Sequence, residues 1–314
     1  MTWNPIILPD LSGRTFAVTG ASAGIGYFAS EQLSAAGAHV VLASRSVAKL
    51  AAARKSILAR VPEASLTAVA MDLASLSSVD AAAAEIAALP RLDGIFLNGG
   101  PMTMSRKALT ADGLPELVGT HVVANVRLLA GILPLLSASG STGGNSRVVH
   151  ASTGFVRLKR YRVEDLRRLP WTGIGAYTKA KTATEVFGLE LDRRLRAAGL
   201  PVASILTRPG VGVDAKTPLR PGVRDASTQY RRNPYTPWAQ GKDSAAWPGV
   251  RALTDPGAQG GEYYGPLGRL RGEPVRVPAP AHTAEPGEAE AQRFWDHLED
   301  LAGVRVFGPT AVQR

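Results

Sequence analysis

The glycine-rich stretch Thr19–Gly26 (TGASAGIG) constrains the possible fold more than any other part of this 314-residue sequence. It stands between a β-branched apolar run (15–19) and a segment with apolar side chains at helical spacing (25–36). Glycines at this junction permit a tight turn and let backbone N–H groups approach a pyrophosphate at a helix N-terminus. The residues predicted to contact a dinucleotide here are Gly20, Ser22, Gly24, Ile25 and Gly26.

Short apolar runs alternate with helix-like segments along most of the chain. Further strands are predicted at 39–43, 66–71, 95–97, 147–151, 202–206 and 262–265. This alternation predicts a doubly wound (Rossmann-type) α/β fold with a parallel sheet of about seven strands and helices on both faces. We found no repeat and no linker, which favours a single domain over 1–314. Its predicted parts are a core at about 12–265, a loop insertion at about 211–240 that binds substrate, and a C-terminal extension at about 266–314.

Composition excludes several classes of protein. Cysteine is absent, so disulfides and thiolate metal sites are excluded, and no metal site is predicted. The net charge of +10 raises the possibility of a polyanionic partner. Only eight of the 36 basic residues are Lys, however, which indicates codon bias in a GC-rich genome, and no nucleic-acid partner is expected. The chain shows no signal-peptide pattern, and its most apolar stretch (122–136) contains Asn125 and Arg127, so we predict a cytoplasmic protein without a membrane span.

The end of the second strand bears on which dinucleotide is bound. A carboxylate at that place would bind an adenosine ribose hydroxyl, whereas an arginine suits a 2′-phosphate. The sequence here is Ala43-Ser44-Arg45. NADP(H) is therefore predicted, with Ser44 and Arg45 as contacts, although an arginine-rich chain also places arginines by chance.

Tyr177 and Lys181 lie four residues apart in a predicted helix, and hence on one of its faces. A phenol ordinarily titrates near about 10. A nearby ammonium group favours the phenolate and is predicted to lower that pKa, making Tyr177 a general acid and base.

Together these motifs resemble the short-chain dehydrogenase/reductase family over residues 12–265. Asp72-Leu73 resembles the turn that contacts adenine in that family, and Asn98-Gly99-Gly100 the end of its Asn-Asn-Ala-Gly motif, with Leu97 replacing the first Asn. Pro209-Gly210 resembles the turn that lines the nicotinamide. The long spacing from Thr153 to Tyr177 and the segment 253–266 resemble the branch of retinol dehydrogenases and protochlorophyllide reductases.

Two of the positions expected to take part in catalysis also depart from the family pattern. Thr153 stands where the family has a Ser that hydrogen-bonds the substrate carbonyl, and Ser152 is predicted to point the other way. His121 stands where the family has an Asn of the proton relay to the Lys, with Asn125 one helical turn later. His121 is open to three interpretations: a relay group, a substrate contact, or a side chain hydrogen-bonded to the backbone.

Two segments near these residues also have alternative interpretations. The insert before Tyr177 carries six basic residues and is either a solvated loop or a site for an anionic substrate or partner. The aromatic side chains of the long loop either cover a flat apolar substrate or anchor the loop to the core. These are Tyr230, Tyr235, Trp238 and Trp247.

The resemblance implies an NADP(H)-dependent oxidoreductase that transfers a hydride between nicotinamide and a carbonyl or alcohol carbon. Tyr177 would move the proton, Lys181 would bind the nicotinamide ribose, and Thr153 would bind the carbonyl oxygen. The expected substrate is a bulky apolar or polycyclic small molecule, and the expected role is that of a ketoreductase of secondary metabolism. Alternatives are a non-redox epimerase, cyclase or dehydratase using Tyr177 and His121, or a regulatory binding protein. A homo-oligomer through the helix that bears Tyr177 is possible unless the C-terminal extension covers it.

Overall fold

One eight-stranded sheet organises the molecule, with the strand order β3-β2-β1-β4-β5-β6-β7-β8. The computed structural model describes residues 3–102, 107–225 and 233–308. The strands are β1 (Thr15–Thr19), β2 (His39–Ser44), β3 (Ser65–Ala70), β4 (Gly94–Leu97), β5 (Ser146–Ala151), β6 (Val202–Thr207), β7 (Tyr263–Pro266) and β8 (Pro274–Arg276). β1 to β7 are parallel, which confirms the predicted fold class. β8 adds a short antiparallel edge strand to the predicted seven.

Helices cover both faces of the sheet. They are α1 (Gly24–Ala35), α2 (Val47–Leu58), α3 (Leu76–Ala87), α4 (Glu116–Val118), α5 (Ala124–Gly143), α6 (Gly173–Ala197), α7 (Lys242–Ala245), α8 (Trp247–Thr254), α9 (Ala281–Ala284) and α10 (Glu288–Ala302). 3-10 turns lie at Gly154–Arg157, Asp214–Lys216 and Thr236–Trp238.

Two apolar cores result, one on each face. Phe16 and Val18 of β1 pack with side chains of α1, α2 and α8, whereas Ala17 packs on the other side with α3, α5, α6 and α10. Successive side chains of a strand point to opposite faces, so a strand buried on both faces must be apolar throughout. The same geometry gathers every loop that follows β1 to β7 at one edge of the sheet, the carboxyl edge.

A π-helical turn (Gly119–Val123) joins α4 to α5, so that 116–143 is one helical segment. By length and composition this segment is long and apolar enough to cross a membrane, with a mean hydropathy of 1.7. Within its apolar window, 61% is buried inside the fold, as expected for the core helix of a folded domain.

The C-terminal extension packs back onto α5 and α6. Trp295 of α10 stacks between Phe187 of α6 and Phe307, and the guanidinium of Arg194 lies 4.4 Å from the centre of the Trp295 ring. Arg127 of α5 donates a hydrogen bond to the carbonyl of Ala302. The extension is therefore part of the core on that face.

Candidate active site

A cleft of about 260 Å³ opens at the carboxyl edge, beside the glycine-rich turn. It brings together many of the residues predicted to bind the dinucleotide: Gly20, Ser22, Ser44, Arg45, Asp72, Leu73, Gly99 and Gly100. Gly24, Ile25 and Gly26 form the first turn of α1 directly after this turn.

The glycine-rich turn needs its glycines for two physical reasons. Gly20 and Gly24 have φ values of 70° and 60°, in the left-handed region that side chains disfavour. A Cβ on Gly20 would also lie 2.9 Å from the Cα of Gly99, and one on Gly26 would lie 2.4 Å from the carbonyl oxygen of Gly20. Glycines at these positions let the backbone segments pack closely, and they leave the N–H groups of the turn open to the close approach of a pyrophosphate.

Asn98 joins two strand ends. Its Nδ2 donates to the carbonyl of Thr19 at 3.1 Å, and the N–H of Gly99 donates to Thr19 Oγ1 at 2.8 Å. The Asn98 side chain therefore fixes the ends of β4 and β1 against each other, although sequence reasoning made it a cofactor contact.

The polar rim of the cleft contains residues that sequence reasoning missed, among them a second cation. The hydroxyls of Ser22 and Ser44 are 2.8 Å apart, which joins the glycine turn to the end of β2. Lys49, in the first turn of α2, lines the cleft together with Arg45. Arg45 and Lys49 thus place two cations beside the end of β2. The sequence feature that could have identified Lys49 is its position in the first turn of the helix that follows β2.

Tyr177 and Lys181 lie on the face of α6 that packs against β5. Lys181 Nζ donates to the carbonyl of Ala151 at 2.6 Å and lies 5.9 Å from the centre of the Tyr177 ring. This bond fixes α6 to the end of β5, two residues before Thr153.

Burial, rather than mutual charge, dominates the titration of this pair. Desolvation raises the pKa of Tyr177 to about 12, opposite to the direction predicted from the sequence. Desolvation also lowers the pKa of Lys181 to about 7, with the nearby Glu185 carboxylate opposing that shift. An ammonium that is itself desolvated offsets only part of the cost of burying a phenolate, so Tyr177 is held as the neutral phenol.

Glu185 is a buried carboxylate that sequence reasoning did not single out. It lies one turn after Lys181 and accepts hydrogen bonds from Ser152 Oγ (2.6 Å), Tyr263 Oη (2.8 Å) and Thr283 Oγ1 (3.0 Å). Its four-residue spacing from Lys181 was the available signal. The bond from Ser152 directs its side chain toward α6, the helix that also carries Tyr177 and Lys181.

Thr153 is half-buried immediately after the end of β5. Its Oγ1 accepts a long hydrogen bond from the N–H of Phe155 at 3.4 Å, which leaves the hydroxyl hydrogen free to donate.

His121 is buried in the π-helical turn and hydrogen-bonded to the backbone. Its Nε2 donates to the carbonyl of Pro101 at 3.0 Å, and its ring meets that of Tyr177 edge-on with centres 5.5 Å apart. Burial and the charge of Lys181 hold its pKa well below the usual value, so the ring is neutral. Nδ1 has no hydrogen-bond partner among the described residues. A Cβ on Gly100 would lie 2.2 Å from the His121 ring, so Gly100 is what makes room for it.

Asn125 bonds within its own helical segment and not to Tyr177 or Lys181. Its Nδ2 donates to the carbonyl of His121 at 2.8 Å, and Thr184 Oγ1 donates to the same carbonyl at 3.3 Å. The bond from Thr184 joins the π-helical turn to α6, whereas that from Asn125 joins it to α5.

Comparison with known proteins agrees with this geometry. Residues 14–163 match the model of the short chain dehydrogenase family. Mouse polyprenol dehydrogenase is 33% identical over 210 residues, which cover 67% of this chain and 63% of the mouse protein. Human 3-keto-steroid reductase/17-beta-hydroxysteroid dehydrogenase 7 is 30% identical over 219 residues, which cover 60% of this chain and 63% of the human protein. The chain belongs to the short-chain dehydrogenase/reductase family.

A solved structure extends the likeness to nearly the whole chain. The crystal structure of an uncharacterised protein from Mycobacterium paratuberculosis matches with a TM-score of 0.76 at 26% identity, covering 98% of this chain and 99% of that one. The chain spans less than two thirds of the mouse and human relatives. The finer resemblance to retinol dehydrogenases and protochlorophyllide reductases stays a prediction.

The remaining predicted residues of this short-chain dehydrogenase/reductase lie around the start of the long loop. Gly210 has a φ of 69°, and a Cβ there would lie 2.3 Å from the carbonyl oxygen of Leu270. The carbonyl of Pro209 accepts from Gln240 Nε2 at 2.9 Å. The Pro209-Gly210 turn is thus held between Gln240, at the far end of the long loop, and Leu270 of the β7–β8 hairpin.

The aromatic side chains of the long loop differ in exposure. Tyr235 and Trp238 are 56% and 58% exposed, whereas Trp247 is half-buried at the start of α8. Tyr230 lies outside the described residues. The loop is anchored elsewhere, because Arg220 forms a two-point ion pair with Glu31 of α1, at 2.6 and 2.7 Å.

Proposed function

We propose that this protein is an NADP(H)-dependent reductase of a carbonyl group on a bulky apolar small molecule. We further propose that it works in the cytoplasm, as a ketoreductase of secondary metabolism. One observation carries the catalytic part: the bond from Lys181 to Ala151 places Lys181 and Tyr177 beside the end of β5, where Thr153 follows. Tyr177 and Thr153 are hydroxyl donors, the groups that a carbonyl oxygen requires when it gains a proton.

Tyr177 would act as the acid of a reduction. Its raised pKa keeps it protonated at neutral pH and also makes it a weak acid, so donation of its proton to a substrate carbonyl requires a positive charge that stabilises the phenolate. Thr153 would donate a hydrogen bond to the same oxygen, which orients the carbonyl. Lys181 would bind the nicotinamide ribose, and its charge would stabilise the phenolate that forms when Tyr177 gives up its proton.

The cleft fits a dinucleotide with an extra phosphate. The glycine turn leaves no space for a Cβ at Gly20 or Gly26, and its N–H groups stand at the start of α1, where an anion is favoured. Arg45 and Lys49 would hold the 2′-phosphate, and Asp72 and Leu73 would contact the adenine. When bound, the dinucleotide supplies the hydride.

The apolar substrate class has support from relatives and from the loop. The matched mammalian relatives are named for polyprenols and 3-keto-steroids, both large and apolar. In this chain, Tyr235 and Trp238 expose aromatic surface in the loop that begins at Pro209-Gly210. Such side chains are suited to cover a flat or extended apolar molecule.

The test is a Tyr177→Phe substitution, which removes only the hydroxyl. Oxidation of NADPH is followed by its absorbance with a polyprenal and a 3-keto-steroid as probe substrates. We expect the rate to fall by about 10²–10⁴-fold, because the proton donor is lost, while NADPH still binds. Tyr161→Phe, the same change in the insert, is the matched control. Undiminished turnover in Tyr177→Phe would exclude the proposed role.

A non-redox reaction is the second candidate, because His121 places a neutral ring with an unpartnered Nδ1, among the described residues, beside Tyr177. An epimerase, cyclase or dehydratase would use these two side chains as base and acid. Product formation without any change in the absorbance of nicotinamide would favour it. The backbone bond to Pro101 and the strongly lowered pKa of His121 make it a weak base, which is why the reductase is preferred.

A further inference from the structure

Large apolar side chains are exposed at one edge of the molecule. Trp171 is 89% exposed, Leu158 79% and Leu267 72%, and Ile174 and Leu270 are also exposed. Across the described ranges, the large apolar side chains that are exposed follow the carboxyl ends of strands, except Ile6 and Ile7 before β1. Exposed apolar surface concentrated on one side of a folded chain marks a site of interaction.

Two segments supply five of these exposed apolar side chains, and we call them together the docking face: the insert 157–174 and the β7–β8 hairpin tip 267–271. Both are rich in exposed cations. The basic residues are Arg157, Lys159, Arg160, Arg162, Arg167 and Arg168 in the insert, and Arg269 and Arg271 in the hairpin, against the acidic Glu164 and Asp165.

The two segments lie side by side. The insert and the hairpin flank the side chain of Arg208, which follows β6. A Cβ on Gly154, just before the insert, would lie 3.9 Å from Nη1 of Arg208, and one on Gly265, just before the hairpin tip, would lie 2.6 Å from its Nε. The charges of Arg157 and Arg269 both lower the pKa of Arg208. The insert also leads directly into the turn of α6 that carries Tyr177. The docking face therefore borders the candidate active site.

This combination of side chains matches the chemistry of a lipid surface. Tryptophan and leucine gain free energy in the interface of a bilayer, and arginine and lysine reach the phosphates of anionic lipids with their charged ends. A protein interface would have a contiguous apolar centre. In the docking face the apolar side chains are instead separated by cations, as in Arg157-Leu158-Lys159-Arg160.

We propose that the docking face binds peripherally to a bilayer that contains anionic phospholipids, with Trp171 and Leu158 in the interface. The mouth of the active site would then face the lipid. This goes beyond the proposed function and does not depend on it, because membrane binding is measured without turnover.

The experiment is co-sedimentation of the full chain with vesicles. We expect binding to phosphatidylglycerol–phosphatidylcholine vesicles, little binding to pure phosphatidylcholine, and weakening as salt is raised. Trp171→Ser combined with Leu158→Ser should weaken binding by about tenfold or more, because the apolar anchors are lost. Lys159→Glu combined with Arg160→Glu should weaken it by about tenfold or more, because each basic residue near an anionic surface contributes attraction.

Ile6→Ser combined with Ile7→Ser is the matched control, since these side chains are 84% and 73% exposed but precede β1. It should bind vesicles as the parent chain does. Quenching of Trp fluorescence by brominated lipids should fall in Trp171→Phe, which locates the contact. Absence of vesicle binding, equal binding to neutral vesicles, or equal loss in the Ile6/Ile7 control would overturn the proposal.

Discussion

At the scale of single residues, the sequence predicts which side chains meet but not which protonation state their surroundings favour. The spacing of Tyr177 and Lys181 placed them on one helical face, as the structure shows. The direction of the Tyr177 shift was wrong, because the cost of desolvation depends on how deeply the phenol is buried under neighbouring elements. Such burial has no local signature in the sequence.

His121 illustrates the same limit. The sequence left its role open among three interpretations, and the carbonyl it contacts belongs to Pro101, twenty residues away in the chain. Gly100 accommodates the ring, yet nothing in the motif Asn98-Gly99-Gly100 points to a histidine. The contact depends on the π-helical turn at 119–123, which no spacing rule predicted.

Arg45 carries a prediction at this scale. Arg45→Asp should weaken binding of NADPH by about 10- to 100-fold, because a charge-assisted contact to the 2′-phosphate is replaced by repulsion. NADH binding should change little. The measurement is titration of both nucleotides by fluorescence, with Arg54→Asp on the exposed side of α2 as the matched control. Equal weakening for NADH and NADPH would refute the assignment of Arg45 to the phosphate.

At the scale of elements, periodicity located the strands of the parallel sheet and most of the helices that cross between them. The glycine turn, β2 and α6 were predicted well because their patterns are local. β8 was missed because a three-residue edge strand of Pro-Val-Arg has no periodicity and forms only by pairing with β7.

The terminal helix α10 carries Phe294, Leu298 and Leu301 at helical spacing, but nothing in this pattern indicates which helices it packs against. Trp295 is 2% exposed and stacked between Phe187 and Phe307. Trp295→Ala should therefore lower the free energy of unfolding by about 3–5 kcal/mol, through lost burial and the cavity left behind. Urea unfolding followed by circular dichroism measures this. Arg293→Ala, on the exposed side of α10, should change it by less than about 0.5 kcal/mol. A Trp295→Ala loss no larger than that of the control would show that α10 contributes little.

At the scale of the whole molecule, the alternating sequence predicted a parallel, doubly wound sheet, but not the order of its eight strands. The position of the C-terminal extension was also not predicted. The extension contacts α5 and α6 through Arg127, Arg194 and Phe187, which are spread over about seventy positions. No pattern within the extension shows that partner.

This placement leads to a prediction about assembly. The apolar face of α5 and α6 has to be covered, either by a second copy of the chain or by the extension, and the same surface cannot serve both. Since α10 buries Phe294, Trp295 and Leu298 against it, we expect a monomer. Light scattering after size-exclusion chromatography should give the mass of one chain. A chain ending at residue 286 should associate in a concentration-dependent way, because the face around Phe187 becomes exposed. A stable dimer of the full chain would mean that its subunits meet through a surface other than α5 and α6, or that α10 leaves this face.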